Sequence, residues 1–142
     1  MQVPFGALSR QYLSIKPEID QAIHSVLDSG WFILGEHVQN FESKFANYCG
    51  CPYGVSVGSG TEALHLGLVA CGVRAGDEVI TVANTCVPTI SAISFSGANP
   101  VFVDVIPDSY TMDPDQIEAK ITDKTRVILP VHLYGQSADM DP

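Results

Sequence analysis

The sequence predicts an α/β fold, an open and mostly parallel sheet with helices on both faces. Two observations support this class. Short runs rich in Val and Ile alternate with segments of helical periodicity after residue 50, and strands joined by helical crossovers pair in parallel. The chain has 142 residues, 46% of them hydrophobic, which suffices for one globular core.

The first 50 residues are predicted to form an N-terminal arm followed by two helices. Residues 1–15 carry a proline and a glycine but no hydrophobic period, which is typical of an extended arm. From Lys16, apolar residues recur on one helical face as far as Gly30, and glycine commonly follows the last helical residue. After a loop at residues 31–36, a second amphipathic helix is predicted to close at Gly50.

Beyond residue 50 the predicted elements alternate. The strands are expected at residues 53–57, 78–82, 100–105 and 125–133, and the helices at residues 61–71, 87–95 and 113–121. The final residues, DMDP, are typical of the start of another helix. We therefore expect the sequence to be truncated.

The composition excludes several classes of partner. Seven Lys and Arg against sixteen Asp and Glu give a formal net charge of −9, which repels nucleic-acid phosphates and anionic lipid surfaces. The four cysteines form no CxxC pair and have no histidine at metal spacing, so no metal site is predicted. Because no signal-peptide pattern or membrane-spanning apolar run is present, we expect a cytoplasmic protein that binds no membrane.

A glycine-rich turn, VGSGTEA at residues 57–63, lies between a predicted strand and a predicted helix. Such a turn presents unpaired backbone N–H groups at the positive end of the helix dipole, which favours an anion. Thr61 adds a hydroxyl donor, and Ser59 either adds another or caps the helix. The alternative is a tight connection in which Gly58 and Gly60 only supply unusual dihedral angles.

The same turn satisfies the dinucleotide fingerprint GxGxxG/A, with Ala63 at its third position. A dinucleotide site also needs an acidic residue at the end of the next strand, where it binds the ribose hydroxyls. That strand ends in Ala83 and Asn84, whereas the nearby acids Asp77 and Glu78 lie at its start. An NAD-binding oxidoreductase is therefore a disfavoured alternative.

Five motifs in order, SGWFILG, SVGSGTEALHLGL, GDEVI, GANPVFVDV and LPVHLYGQSADMDP, resemble the DegT/DnrJ-type sugar aminotransferases. The resemblance covers nearly the whole chain but only the N-terminal portion of the family's longer chain. It implies fold type I, with residues 51–142 as an incomplete cofactor-binding large domain. It further implies pyridoxal 5'-phosphate (PLP), an amino donor such as glutamate, a nucleotide-linked keto-sugar as acceptor for amino-sugar and polysaccharide biosynthesis, and a homodimer.

The resemblance also implies roles for individual residues. Gly60 and Thr61 match the turn that binds the cofactor phosphate, and Ser59 lies beside them. Cys86 stands where the family usually has an aromatic residue that stacks on the pyridine ring; a thiol gives less flat contact area. Trp31 is expected either to pack against the nucleotide-sugar or to anchor its own loop.

No catalytic residue is predicted in this chain. The resemblance places the Schiff-base lysine and the acid that pairs with the pyridine nitrogen beyond Pro142. Surface charge is the expected role of the lysines present, Lys16, Lys44, Lys120 and Lys124. The fragment alone is thus expected to be inactive, and two alternatives stay open: a related sugar dehydratase with histidine in place of lysine, and a non-catalytic truncated homologue.

Overall fold

The structure is a computed structural model that describes Pro4 and residues 6–141. The chain divides into two compact units, Met1–Ser56 and Val57–Pro142. The division falls a few residues after the boundary predicted at residue 50, because the segment leading to the glycine-rich turn belongs with the first unit.

Three helices make up the secondary structure described in the first unit: α1 (Leu8–Ser14), α2 (Lys16–Ser29) and α3 (Glu36–Tyr48). The prediction of an extended arm is wrong over α1, which is helical. The helix breaks at Ile15, whose dihedral angles are not helical, because Pro17 has no N–H to continue the hydrogen-bond ladder. α2 ends as predicted at Gly30, which has a left-handed φ of 65°.

The second unit is built on a parallel sheet of three strands: β1 (Glu78–Val82), β2 (Asn99–Val103) and β3 (Thr125–Ile128). β1 is central, with β2 and β3 on either side, and both pairings are parallel. Its last four residues are buried. The predicted α/β class with an open parallel sheet is thereby confirmed.

The two faces of the sheet are covered differently. α4 (Gly60–Ala70) and α5 (Val87–Phe95) cover the face of Val79 and contribute Leu68, Ala92 and Ile93 to one buried cluster. On the face of Ile80 and Val82, a second cluster forms with Val103 and Met112. Helices on both faces were predicted, but this second face is packed by irregular backbone and by two 3₁₀ helices, Pro114–Gln116 and Glu118–Lys120.

Besides shifts of one or two residues at the ends of α4 and β2, three more predicted elements differ from the structure. Residues 53–57 have no regular secondary structure and belong to no strand of the described sheet. The helix predicted at 113–121 is instead the two 3₁₀ helices, in which the side chain of Asp113 caps the N–H of Asp115 at 3.1 Å. β3 stops at Ile128 instead of Leu133, because Pro130 has no N–H to donate to a neighbouring strand.

Candidate anion-binding site

The glycine-rich turn forms the N-terminal end of α4. Ser59 is the N-cap residue, with extended dihedral angles of φ −162° and ψ 162°, and its Oγ accepts a hydrogen bond from the N–H of Glu62 at 3.2 Å. The first helical bond runs from the N–H of Ala63 to the carbonyl of Ser59 at 3.0 Å. The sequence thus starts a helix here by side-chain capping.

Three consecutive backbone N–H groups, those of Ser59, Gly60 and Thr61, donate to no acceptor in the part of the chain that the structure describes. The half-buried Thr61 likewise makes no hydrogen bond there through its hydroxyl. All four donors lie at the positive end of the helix dipole. This donor set fits the phosphate group of PLP.

Positive φ angles do not explain the turn glycines, and a steric reason for glycine is present at Gly58 but not at Gly60. Neither Gly58 nor Gly60 has a positive φ, so the alternative based on backbone conformation fails. A Cβ added at Gly60 would meet no atom within 4 Å, which leaves the approach to its N–H open. A Cβ added at Gly58 would lie only 2.8 Å from Oε2 of Glu62.

Cys86 begins the neighbouring helix. It is the N-cap residue of α5, its side chain makes no capping hydrogen bond, and its thiol is free and exposed. α4 and α5 pack against each other, partly through an edge contact between His65 and Phe95 with ring centroids 6.3 Å apart. The structure therefore places Cys86 and the Ser59–Thr61 donors at the starts of two helices of one packed pair.

Polar groups at the carboxyl ends of β1 and β2 were missed as site candidates. Asn84 follows β1, and its Nδ2 donates to the carbonyl of Tyr110 at 3.4 Å. Asp104 follows β2 and, together with Asn84 and Phe102, lines a cavity of about 290 Å³. The signal was available in the sequence, because ligands of parallel sheets bind beyond the carboxyl ends of the strands.

Trp31 lies in the first unit, in the loop between α2 and α3. Trp31 is 57% exposed, and its backbone N–H donates to Oγ of Ser29 at 3.1 Å. A Cβ added at Gly35 would lie 3.5 Å from Cγ of the Trp31 side chain. Trp31 and Phe32 line a cavity of about 300 Å³ within this unit. The ring thus rests on the start of α3 while much of it remains accessible.

A histidine after β3 and the lysines of the chain have structural or surface roles. The Nδ1 atom of His132 accepts a hydrogen bond from the N–H of Ala138 at 3.0 Å, which holds the chain after β3. All four lysines are exposed. A hydrogen bond from Lys16 to Asp20, with a second to Tyr12, raises the pKa of Lys16 above its ordinary value, the opposite of what an amine nucleophile needs.

The strand geometry also bears on the dinucleotide alternative. Glu78 is the first residue of β1, at the amino end of the sheet, and its carboxylate accepts a hydrogen bond from the hydroxyl of Thr122 at 2.6 Å. No acid of β1 therefore stands where a ribose would bind.

Two further searches cover only the described residues. No cluster of three or more His, Cys, Asp or Glu side chains there could hold a metal ion. No helix in the same part of the chain is long and apolar enough to cross a membrane.

Comparison with known proteins identifies the family. Residues 13–142 match the DegT/DnrJ/EryC1/StrS aminotransferase family. The chain belongs to this family. Among the relatives that it matches is the dTDP-3-amino-3,6-dideoxy-alpha-D-galactopyranose transaminase of Aneurinibacillus thermoaerophilus, 48% identical over 98% of this chain and 38% of the relative. This member of the family thus spans well under half the length of that relative.

Solved structures of family members share the fold. DesV of S. venezuelae, in complex with a ketimine intermediate, superposes with a TM-score of 0.95 at 46% identity, covering 99% of this chain and 38% of that one. NtdA of Bacillus subtilis, with bound cofactor PMP, gives a TM-score of 0.93 at 39% identity, covering 98% and 32%. The family member described here therefore has the fold of the N-terminal part of a fold-type-I aminotransferase.

Proposed function

We propose that this chain is the N-terminal, phosphate-binding portion of a PLP-dependent aminotransferase that acts on a nucleotide-linked keto-sugar. The observation that carries the proposal is the set of free donors at Ser59, Gly60 and Thr61, in a chain that matches the aminotransferase family over residues 13–142. The transaminase of A. thermoaerophilus, named for a dTDP-linked amino sugar, supports the substrate class.

The residues of the second unit would bind the cofactor at two points. The N–H groups of Gly60 and Thr61 and the Thr61 hydroxyl donate to the phosphate, and Ser59 adds its own N–H. Cys86 contacts the pyridine ring in the place that an aromatic side chain usually takes. When bound, PLP supplies an electron sink for the carbon that loses a proton.

The remaining assignments concern the longer protein. Trp31 packs against the nucleotide-sugar with its accessible ring surface, glutamate is the amino donor, and the complete enzyme is a cytoplasmic homodimer. The exposed lysines of this chain do not carry the proton transfer, so the chain by itself binds the cofactor phosphate without catalysing amino transfer.

A binding measurement on the 142-residue chain tests the phosphate site. Titration calorimetry with PLP, with competition by inorganic phosphate, should give an affinity that Thr61→Val lowers about tenfold, because a hydrogen bond to a charged group is lost. Thr122→Val, at the amino end of β1, is the matched control and should bind as the unchanged chain does. Equal binding by all three proteins would overturn the assignment of the turn.

Activity separates the fragment from the longer protein. We expect no 2-oxoglutarate when the chain is incubated with PLP, glutamate and a dTDP-linked keto-sugar. Any reading frame that continues past codon 142 should be expressed as well, and glutamate-dependent amination of the sugar by that product is the expected result. Dehydration of the sugar without amination would favour the related dehydratase, and an in-frame stop codon would favour a non-catalytic protein.

A further inference from the structure

We propose that Glu62 is a positioning residue that decides which backbone donors of the glycine-rich turn remain free for a phosphate. The proposal rests on the function proposed above, since the phosphate of PLP is the ligand concerned. A carboxylate beside an anion site repels the anion, and the positioning role accounts for its presence there.

Glu62 removes two donors from the turn. Its Oε2 accepts a hydrogen bond from the N–H of Gly58 at 2.7 Å, and its own N–H donates to Oγ of Ser59 at 3.2 Å. The N–H groups of Ser59, Gly60 and Thr61 are left without an acceptor among the described residues. The carboxylate thereby fixes the N–H of Gly58, immediately before these donors. The three consecutive N–H groups that follow remain free for a ligand.

The absence of a side chain at Gly58 and the contact made by Glu62 depend on each other. A Cβ at Gly58 would lie 2.8 Å from Oε2 and 3.5 Å from Cδ of Glu62, so any larger residue would push the carboxylate off the N–H. The φ of Gly58 is not positive, so backbone conformation does not require glycine here. Glycine at position 58 instead leaves the space in which the carboxylate of Glu62 reaches the N–H.

Position and charge act in opposite directions. By accepting the hydrogen bond from Gly58, the carboxylate of Glu62 orders the turn and favours phosphate binding, whereas its negative charge disfavours a second anion. Because Glu62 is exposed, solvent screens the charge, and the positional effect dominates. Glutamine keeps an acceptor oxygen for Gly58 without the charge, and alanine keeps neither.

The experiment compares Glu62→Gln and Glu62→Ala in the 142-residue chain. We expect Glu62→Gln to bind PLP and inorganic phosphate as tightly as the unchanged chain or up to about threefold tighter, and Glu62→Ala to bind about three- to tenfold more weakly. The control Glu118→Gln removes one exposed charge elsewhere in the second unit and should leave binding unchanged. Circular dichroism establishes that each variant is folded.

Two further measurements distinguish positioning from a general loss of stability. Amide hydrogen exchange at Gly58 should accelerate in Glu62→Ala and not in Glu62→Gln. Gly58→Ala should weaken phosphate binding as Glu62→Ala does, and the double variant should be no weaker than either, because both changes break one contact.

The outcomes separate this proposal from the proposed function. If PLP binds and Glu62→Ala binds as tightly as Glu62→Gln, the positioning role is wrong while the phosphate site stands. Unaltered Gly58 exchange in Glu62→Ala would also overturn the positioning role. If the unchanged chain binds neither PLP nor phosphate, the proposed function fails and the role of Glu62 fails with it.

Discussion

The two units differ in how their apolar residues are used. In the first unit, Gly35 and Ala46 are the only buried residues among those described, and even the stacked rings of Phe41 and Phe45 are more than half exposed. In the second unit, two buried clusters lie on opposite faces of β1. One unit has amphipathic helices without a core, and the other has a core with few regular elements around it.

This difference shows that an amphipathic pattern and a stable packing arrangement are separate properties. α2 and α3 have the periodicity of surface helices, yet α2 has no buried residue and α3 has one. Isolated helices of this length are marginal in water unless an apolar face is covered. We therefore expect the second unit to account for most of the cooperative stability of the chain.

Truncation of one isoleucine in each unit should give the largest difference between the units in the free energy of unfolding. Ile93 is completely buried and Ile23 is 52% exposed. Ile93→Ala should lower the free energy of unfolding by about 3 kcal/mol, because it removes buried methyl groups and leaves a cavity. Ile23→Ala should change it by less than about 0.5 kcal/mol, and urea denaturation followed by circular dichroism measures both. Equal losses would mean that the helices of the first unit share the cooperative core.

Substitution of one glycine in each unit should give a smaller difference between the units in the loss of global stability. At Gly97 an added Cβ would lie 2.9 Å from Cβ of Ala75, and φ is 77°, so Gly97→Ala should cost about 1–3 kcal/mol of global stability. At Gly54 the added Cβ would lie 2.7 Å from the carbonyl oxygen of Glu42, which forces residues 53–57 away from α3.

The effect of Gly54→Ala should be local. Faster proteolysis and hydrogen exchange at residues 53–57, with little change in the urea midpoint, are the expected results, because this segment joins no buried cluster. If the urea midpoint falls as far in Gly54→Ala as in Gly97→Ala, the two units do not differ in their contribution to global stability.

The smallest effect is expected from the ion pair in the first unit. The hydrogen bond from Lys16 lowers the pKa of Asp20, and the same bond raises the pKa of Lys16. The stabilisation from Asp20 is present above its ordinary value of 3.8 and is lost as pH falls through its lowered pKa. That from Lys16 is present below 10.5 and is lost as pH rises through its raised pKa.

Between these two values the contribution of the pair is constant, and solvent screens it because the side chains of Lys16 and Asp20 are 47% and 36% exposed. Asp20→Asn should therefore leave the thermal midpoint at pH 7 unchanged within error, with Asp28→Asn in the same helix as control. A clear fall for Asp20→Asn alone would show that the start of α2 is coupled to a cooperative structure.

The elements that could be predicted from the sequence are those in which local pattern and burial agree. β1 and α5 occur at the predicted residues, and α4 begins one residue early at Gly60. Their apolar residues enter the buried clusters, so tertiary packing supports the local preference. The alternating pattern of residues 53–57 predicted a strand, but a strand also needs a partner, which no local pattern supplies.

Part of the candidate site could likewise be predicted from the sequence. The donors at Gly60 and Thr61 follow from the position of a helix start after a glycine-rich turn. The contact from Glu62 to Gly58 does not, because it depends on the rotamer of an exposed side chain that reaches back by one turn. The sequence shows that Asn84 and Asp104 each follow a strand, but only the order of the strands in the sheet shows that the two residues line one cavity.

The central position of β1 has a consequence for synthesis on the ribosome. β1 leaves the exit tunnel before both of its neighbours, first pairing with β2 at Asn99 and only later with β3 at Thr125. Until β3 emerges, one edge of the most apolar strand is open to other nascent chains. Pausing of translation between these two strands would therefore increase the demand for chaperones, whereas pausing after β3 would not.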